Sequence, residues 1–199
     1  MKTALIVIDV QIDFCEDGAL AVDNGDSVVP IINEMLCEYD IVCLTQDWHP
    51  FGHSSFASSH EGRSPFDLVE MSYGKQVLWP DHCVQGSIGA NFHKELNTNL
   101  ADMIVRKGSN PDIDSYSAFF ENDHKTPTGL HGYLQTRQVK KLDLVGLATD
   151  FCVAYSALDA AMLGYSVRVL EKATRAIDLD ESLKTARENM AAAGVILEH

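Results

Sequence analysis

Positive charge is scarce in this chain: its 199 residues carry 15 Lys and Arg against 29 Asp and Glu, a formal charge of −14. A field of that sign repels phosphate backbones and anionic lipid, which argues against nucleic acid and membrane surfaces as partners. Long apolar runs are missing as well. None approaches the roughly 18 residues of a membrane helix, and the run from Ala4 to Ile8 stops at Asp9, short of the roughly 7–15 residues of a signal-peptide core. Cysteine occurs without a pattern: the five residues, at 15, 37, 43, 83 and 152, form no Cys-x-x-Cys pair. Zinc knuckles and thioredoxin-like dithiols are thereby excluded at the motif level. The odd count argues against a disulfide framework and for a reducing compartment, the cytoplasm. Nucleotide signatures are absent too. No Gly-x-Gly-x-x-Gly follows the first apolar run, where Asp9-Val10-Gln11-Ile12-Asp13-Phe14 stands, and no Walker-type loop occurs. What remains, at 46% hydrophobic and 22% charged residues, is a soluble chain of one well-cored domain spanning residues 1–199.

Short apolar runs rich in β-branched residues recur at Ala4–Ile8, Ile41–Thr45, Met103–Val105, Leu142–Leu147, Ser166–Leu170 and Val195–Leu197. They are apolar throughout rather than alternating, as strands buried on both faces of a parallel sheet are. Helical patterns lie between them at Val28–Leu36, Leu130–Val139, Phe151–Leu163 and Ser182–Ala193, the last two followed by Gly164 and Gly194 as C-terminal caps. This alternation predicts an α/β three-layer sandwich around a mostly parallel sheet of about six strands. Residues 48–100 break the pattern. Rich in Gly, Ser, His and Pro, they read as a long structureless insertion of functional character, carrying metal and substrate residues.

Ligands of open parallel sheets bind beyond the carboxyl ends of the strands. There the sequence places Asp9, Asp47-Trp48-His49, Lys107 and Ala148-Thr149-Asp150-Phe151-Cys152. Cys152 falls where a helix begins, with Thr149 or Asp150 as N-cap. The helix dipole and Lys107 are expected to lower the thiol pKa, and Asp9 to take and return its proton. Asp47 and His49, two residues apart in extended backbone, point the same way and can share one ion. His82 supplies a third ligand and His53 a further candidate. His60, His93, His124 and His131 read as surface residues.

Several motifs together resemble the nicotinamidases (pyrazinamidases) of the isochorismatase-like cysteine hydrolase superfamily. They are Asp9-x-Gln11-x-Asp13-Phe14, Asp47-Trp48-His49-Pro50 with Ser55-Phe56, Trp79-Pro80-Asp81-His82-Cys83-Val84, Lys107-Gly108 with Asp114-Ser115-Tyr116-Ser117-Ala118-Phe119, and Gly146 to Val153. The resemblance implies hydrolysis of nicotinamide, a small uncharged amide, to nicotinate and ammonia, and of pyrazinamide likewise. It implies Cys152 as nucleophile, Asp9 as general base and acid, Lys107 as electrostatic partner, and the backbone N–H groups of Ala148 and Cys152 as oxyanion hole. It also implies a cis peptide at Leu147–Ala148, one divalent ion (Zn²⁺, Fe²⁺ or Mn²⁺) on Asp47, His49 and His82, and Phe14, Trp79, Leu147 and Tyr116 around the substrate.

Two alternatives stand beside this reading. One is a sister enzyme on the same fold, although an isochorismatase needs no cysteine and other amidases of the superfamily need no metal set. The other is a non-catalytic α/β binding protein in which Cys152 senses redox state. Self-association into a homo-oligomer is left open by the sequence.

Overall fold

The computed structural model describes residues 2–199. Six strands form one sheet: β1 (Lys2–Ile8), β2 (Ile41–Asp47), β5 (Met103–Lys107), β6 (Val139–Leu147), β7 (Ser166–Arg175) and β8 (Ile196–Glu198), in the order β5-β2-β1-β6-β7-β8. Every pairing in it is parallel. Each of the six apolar runs found in the sequence is one of these strands. Most strands run further than the apolar pattern, because the ladder continues through polar ends such as Gln46-Asp47 and Arg106-Lys107. Hydrophobicity marks what is buried, not where backbone pairing stops.

Four helices accompany the sheet: α1 (Val28–Met35), α2 (Leu130–Thr136), α3 (Ala154–Met162) and α4 (Ser182–Ala192). Helices α1 and α3 both pack on β7. The chain builds outward from β1 in one direction through β2 and β5, then returns to place β6, β7 and β8 on the other side. Right-handed crossovers on either side of that reversal put α1 and α3 on opposite faces of the sheet. The reversal falls between β1 and β6, and the crevice of such a sheet opens at the carboxyl ends of those two strands. They approach closely there: Gly146 has φ 108°, and a side chain on it would collide with the backbone of Ile8.

Three expectations are corrected. The predicted helix Leu130–Val139 ends at Thr136, because Gln138 turns into the left-handed region (φ 60°) and Val139 already belongs to β6. Phe151–Leu163 does not begin as an α-helix, since Thr149–Val153 forms a π-helical turn that leads into α3. Residues 48–100 are not structureless. They contain an antiparallel hairpin, β3 (Leu68–Met71) with β4 (Gly74–Val77), and short helical turns. Isolated bridges join His49 to Val84 and Phe56 to Trp79, so the segment is folded back on itself around the strand ends.

Candidate active site

Four strand ends converge on the ammonium group of Lys107. It lies 2.9 Å from Asp9 Oδ2 and 2.8 Å from Asp47 Oδ1. It donates to the carbonyl of Ser115 at 2.7 Å and reaches Cys152 Sγ at 3.5 Å. Lys107 and Asp9 are fully buried at the side chain, and Cys152 is 7% exposed. The backbone is bent to make this possible. Asp9 has φ 46°, a conformation that costs a non-glycine residue of order 1 kcal/mol and persists only where its surroundings impose it. Thr45 imposes it here: its hydroxyl donates to Asp9 Oδ1 at 2.6 Å and accepts from the Asp9 N–H at 3.1 Å. Gln11 fixes Asp47 in the same way, accepting from its N–H at 2.7 Å and donating to its carbonyl at 2.8 Å.

The electrostatics divide the two carboxylates. Burial pushes Asp9 above the ordinary carboxylate range, against the pull of Lys107. Burial acts on Asp47 in the same sense, but Lys107 and His49 outweigh it and hold Asp47 well below that range. One group stays ionised while its neighbour can gain and lose a proton, the separation an acid–base site needs. Burial is opposed by the charges of Asp47 and Asp9 at Lys107, which keep the ammonium protonated. The expectation for Cys152 is corrected: burial raises its thiol well above the ordinary value, and the opposing pull of Lys107 does not reverse this. The resting group is a thiol, with Asp9 as its hydrogen-bond partner. The expected N-cap is also absent. No side chain caps the turn at Thr149–Val153, because Asp150 instead accepts from the N–H groups of Ile177 and Asp178 at 3.0 and 2.7 Å.

The second oxygen of Asp47 belongs to another cluster. Asp47 Oδ2 lies 3.2 Å from His49 Nε2 and 3.5 Å from His82 Nε2, and all three residues are buried. His49 Nδ1 donates to the Gly108 carbonyl at 2.9 Å, and His82 Nδ1 donates to the Pro80 carbonyl at 2.8 Å. A carbonyl only accepts, so Nδ1 of each ring carries a proton, and Nε2 of each faces Asp47. With Nδ1 held by an outer partner, Nε2 is the atom such imidazoles present to a metal. Charge points the same way: Asp47 is buried and ionised, and its Oδ2 faces both imidazoles while Oδ1 meets Lys107. The residues therefore fit a divalent ion. Gly108 (φ 67°) is required beside them, since a Cβ there would lie 2.5 Å from His49 Cε1. His53 stands against the cluster, its ring 4.4 Å from that of His49, yet both of its nitrogens are engaged. Nε2 donates to the Asn110 carbonyl at 2.7 Å, and Nδ1 accepts from Ser55.

Beside Cys152 lies a narrow space lined by Phe14, Trp79, Tyr116, Ala148, His82 and Asp47 among others. Of the sequence-derived substrate residues, Leu147 is absent from the lining: it is fully buried in the core. The peptide Leu147–Ala148 is cis. The sequence reading missed Phe151, Leu20, Ile177 and Asp114, which also line the space. Phe151 meets Trp79 edge-on, with ring centroids 4.9 Å apart. Its signal was its place inside the strand-end motif, between Asp150 and Cys152. Of the histidines read as surface residues, only His124 is exposed; His60, His93 and His131 are half-buried. His93 Nε2 donates to Asp26 Oδ1 at 3.1 Å, close to Cys15.

Known proteins share this framework. The chain matches the isochorismatase domain family over residues 3–199. It is 50% identical to the nicotinamidase of Acinetobacter baylyi over 192 residues, 96% of this chain and 90% of that one. The solved nicotinamidase/pyrazinamidase of Acinetobacter baumanii superposes with a TM-score of 0.98 at 49% identity, covering 100% of this chain and 96% of that one. A pyrazinamidase of Pyrococcus horikoshii, solved in complex with zinc, superposes with a TM-score of 0.79 at 33% identity, covering 99% and 98%.

Proposed function

The chain belongs to the isochorismatase family, and from that membership we propose that it is an amidohydrolase converting nicotinamide to nicotinate and ammonia, and acting on pyrazinamide in the same way. One observation carries the reading. The Cys152–Lys107–Asp9 set and the Asp47–His49–His82 set lie side by side, and Asp47 links them through its contact with Lys107. An isochorismatase has no use for the first set, and an amidase without a metal has no use for the second.

In the proposed reaction Cys152 Sγ attacks the amide carbon and its proton passes to Asp9. Asp9 suits the task because burial has raised its affinity for a proton. The carbonyl oxygen gains negative charge, which the N–H groups of Ala148 and Cys152 receive; one such donor is worth about 10²–10³ in rate. The C–N bond then breaks, Asp9 returns its proton to the nitrogen, and ammonia leaves behind a thioester on Cys152. Water attacks the thioester, giving a proton to Asp9; the C–S bond breaks and Asp9 reprotonates the sulfur. Throughout, the ammonium of Lys107 offsets the charge that alternates between Asp9 and Cys152.

Asp47, His49 and His82 would hold one divalent ion, with Zn²⁺, Fe²⁺ and Mn²⁺ all compatible with this donor set. Such an ion supplies a Lewis-acid position that orients the pyridine nitrogen of the substrate. Phe14 and Trp79 would flank the ring, because aromatic faces suit a flat heteroaromatic ligand. Asp9, Lys107 and Cys152 thus act on the amide while the ring is held from the other side.

The test is ammonia release by the purified, metal-loaded protein from nicotinamide, pyrazinamide and a simple aliphatic amide. Turnover of the first two at far higher kcat/KM than the third is expected. Preference for the aliphatic amide would overturn the substrate assignment, and no release from any of them would favour the non-catalytic alternative.

A further inference from the structure

The hairpin β3–β4 is a small, largely exposed two-stranded sheet, with one exception. Gln76 in β4 has no accessible surface, while its neighbours along both strands are exposed or half-buried. A fully buried amide in an exposed hairpin is costly unless its hydrogen bonds are met, and here they lead straight to the pocket. Gln76 Nε2, with two N–H groups, lies within hydrogen-bond distance of three acceptors: Asp114 Oδ2 at 2.7 Å, the Val77 carbonyl at 2.8 Å and the Tyr116 hydroxyl at 2.9 Å. Gln76 Oε1 accepts from Asn122 Nδ2 and from the Tyr73 hydroxyl, each at 3.2 Å. Asn122 closes the circuit by accepting from the Tyr116 N–H at 2.9 Å.

The Tyr116 hydroxyl also accepts from Trp79 Nε1 at 3.1 Å. Gln76 Nε2 and Trp79 Nε1 thus both reach the one Tyr116 oxygen. The ring orientations of Tyr116 and Trp79 are therefore set by one oxygen whose second donor comes from the hairpin. Both residues line the space beside Cys152. Neither belongs to the Cys–Lys–Asp set or the metal cluster.

We propose that Gln76 is a positioning residue for substrate recognition, locking Tyr116 and through it Trp79 in the geometry that grips the ring. This rests on the reading of the protein as a nicotinamide hydrolase. Because Gln76 acts on the wall around the ring and not on the reacting atoms, its loss removes binding common to the ground state and the transition state. Such a loss raises KM and leaves kcat near its parent value.

Gln76→Met keeps the side chain's length and removes its donors and acceptor; Gln76→Glu keeps its shape and removes the donors. Tyr116→Phe removes the oxygen through which Gln76 is inferred to act. In steady-state assays with nicotinamide, each single variant is expected to raise KM about 3- to 10-fold, the value of one hydrogen bond, with kcat changed less than twofold. Adding either Gln76 change to Tyr116→Phe is expected to raise KM by less than a further twofold, because the pair acts as one unit. Three results would overturn the proposal: an unchanged KM in Tyr116→Phe, Gln76 and Tyr116 effects that multiply independently, or lower thermal stability and active fraction at an unchanged KM. The last is what a purely structural strut predicts. A parent enzyme that released no ammonia from nicotinamide would instead overturn the underlying reading, and this proposal with it.

Discussion

Two places in this molecule gather histidine and carboxylate, each with a cysteine close by, and they differ in where one imidazole nitrogen points. At the strand ends, Nδ1 of His49 and of His82 donates to a backbone carbonyl, which leaves both Nε2 atoms facing Asp47. Near the start of the chain, Nδ1 of His93 accepts from the Glu95 N–H at 3.2 Å, so Nε2 keeps the proton and gives it to Asp26. Asp26 is further engaged by the Glu16 N–H at 2.7 Å. Proximity is the same in both groups, since the ligand atoms of each lie within 4.8 Å of one another. The partner of the second nitrogen, and not the distance between ligands, thus distinguishes the proposed coordination site from the second group.

The sharpest way to break the comparison is through the two cysteines. Cys152→Ala should lower nicotinamide turnover by about 10⁴-fold or more, since it removes the covalent step. Cys15→Ala should leave turnover within about twofold. Comparable losses in both variants would erase the distinction. Metal analysis comes next. His49→Ala should lose the bound divalent ion, while His93→Ala should keep the parent stoichiometry by elemental analysis. Gly108→Ala tests the same site more gently: its Cβ would press on the His49 ring, and weaker metal retention in a chelator titration is expected, about 10- to 100-fold, the usual cost of disturbing an outer partner.

A smaller effect concerns reactivity. Burial pushes the thiols of Cys15 and Cys43 up to about 12, whereas Cys37 is exposed. Brief alkylation of the native protein at pH 8 should therefore modify Cys37 and spare Cys15 and Cys43, as read by peptide mass spectrometry. The smallest effect belongs to Asp26. The Glu16 N–H holds its carboxyl below the ordinary value, so its contribution is present above the unfolded pKa and disappears as pH falls through the lower folded value. Asp26→Asn should lower Tm at pH 7 by no more than about 2–4 °C, because the side chain is partly exposed, and the difference should shrink as pH is lowered towards 3.

Most of the frame was legible because its signals are local. Uniform apolar runs marked the six strands, and the polar residues that follow them are those that meet at Lys107. What escaped depended on long-range burial. Gln76 lies in the segment that read as a structureless insertion, and only the folded hairpin reveals it as buried. The direction of the Cys152 shift escaped for a related reason: the helix start and Lys107 were visible in the sequence, but the desolvation that outweighs them was not. Asp150 looked like a cap by position, yet it ties down the chain at Ile177 and Asp178, a contact 27 residues away along the sequence. Leu147 was counted with the pocket because its neighbours Ala148 and Cys152 are there. It ends β6 with its side chain in the core.

Asp47 gives one oxygen to Lys107 and the other to His49 and His82. If Asp47, His49 and His82 hold an ion as proposed, two binding equilibria run through a single carboxylate. Withdrawing electron density at one oxygen weakens what the other can offer, and thermodynamic linkage makes the influence mutual. If loading the ion changes the proton affinity of the lysine–cysteine assembly by some factor, the protonation state of that assembly must change the affinity for the ion by the same factor. On the proposed assignment, loading the ion should therefore alter the reactivity of Cys152 through Asp47 and Lys107.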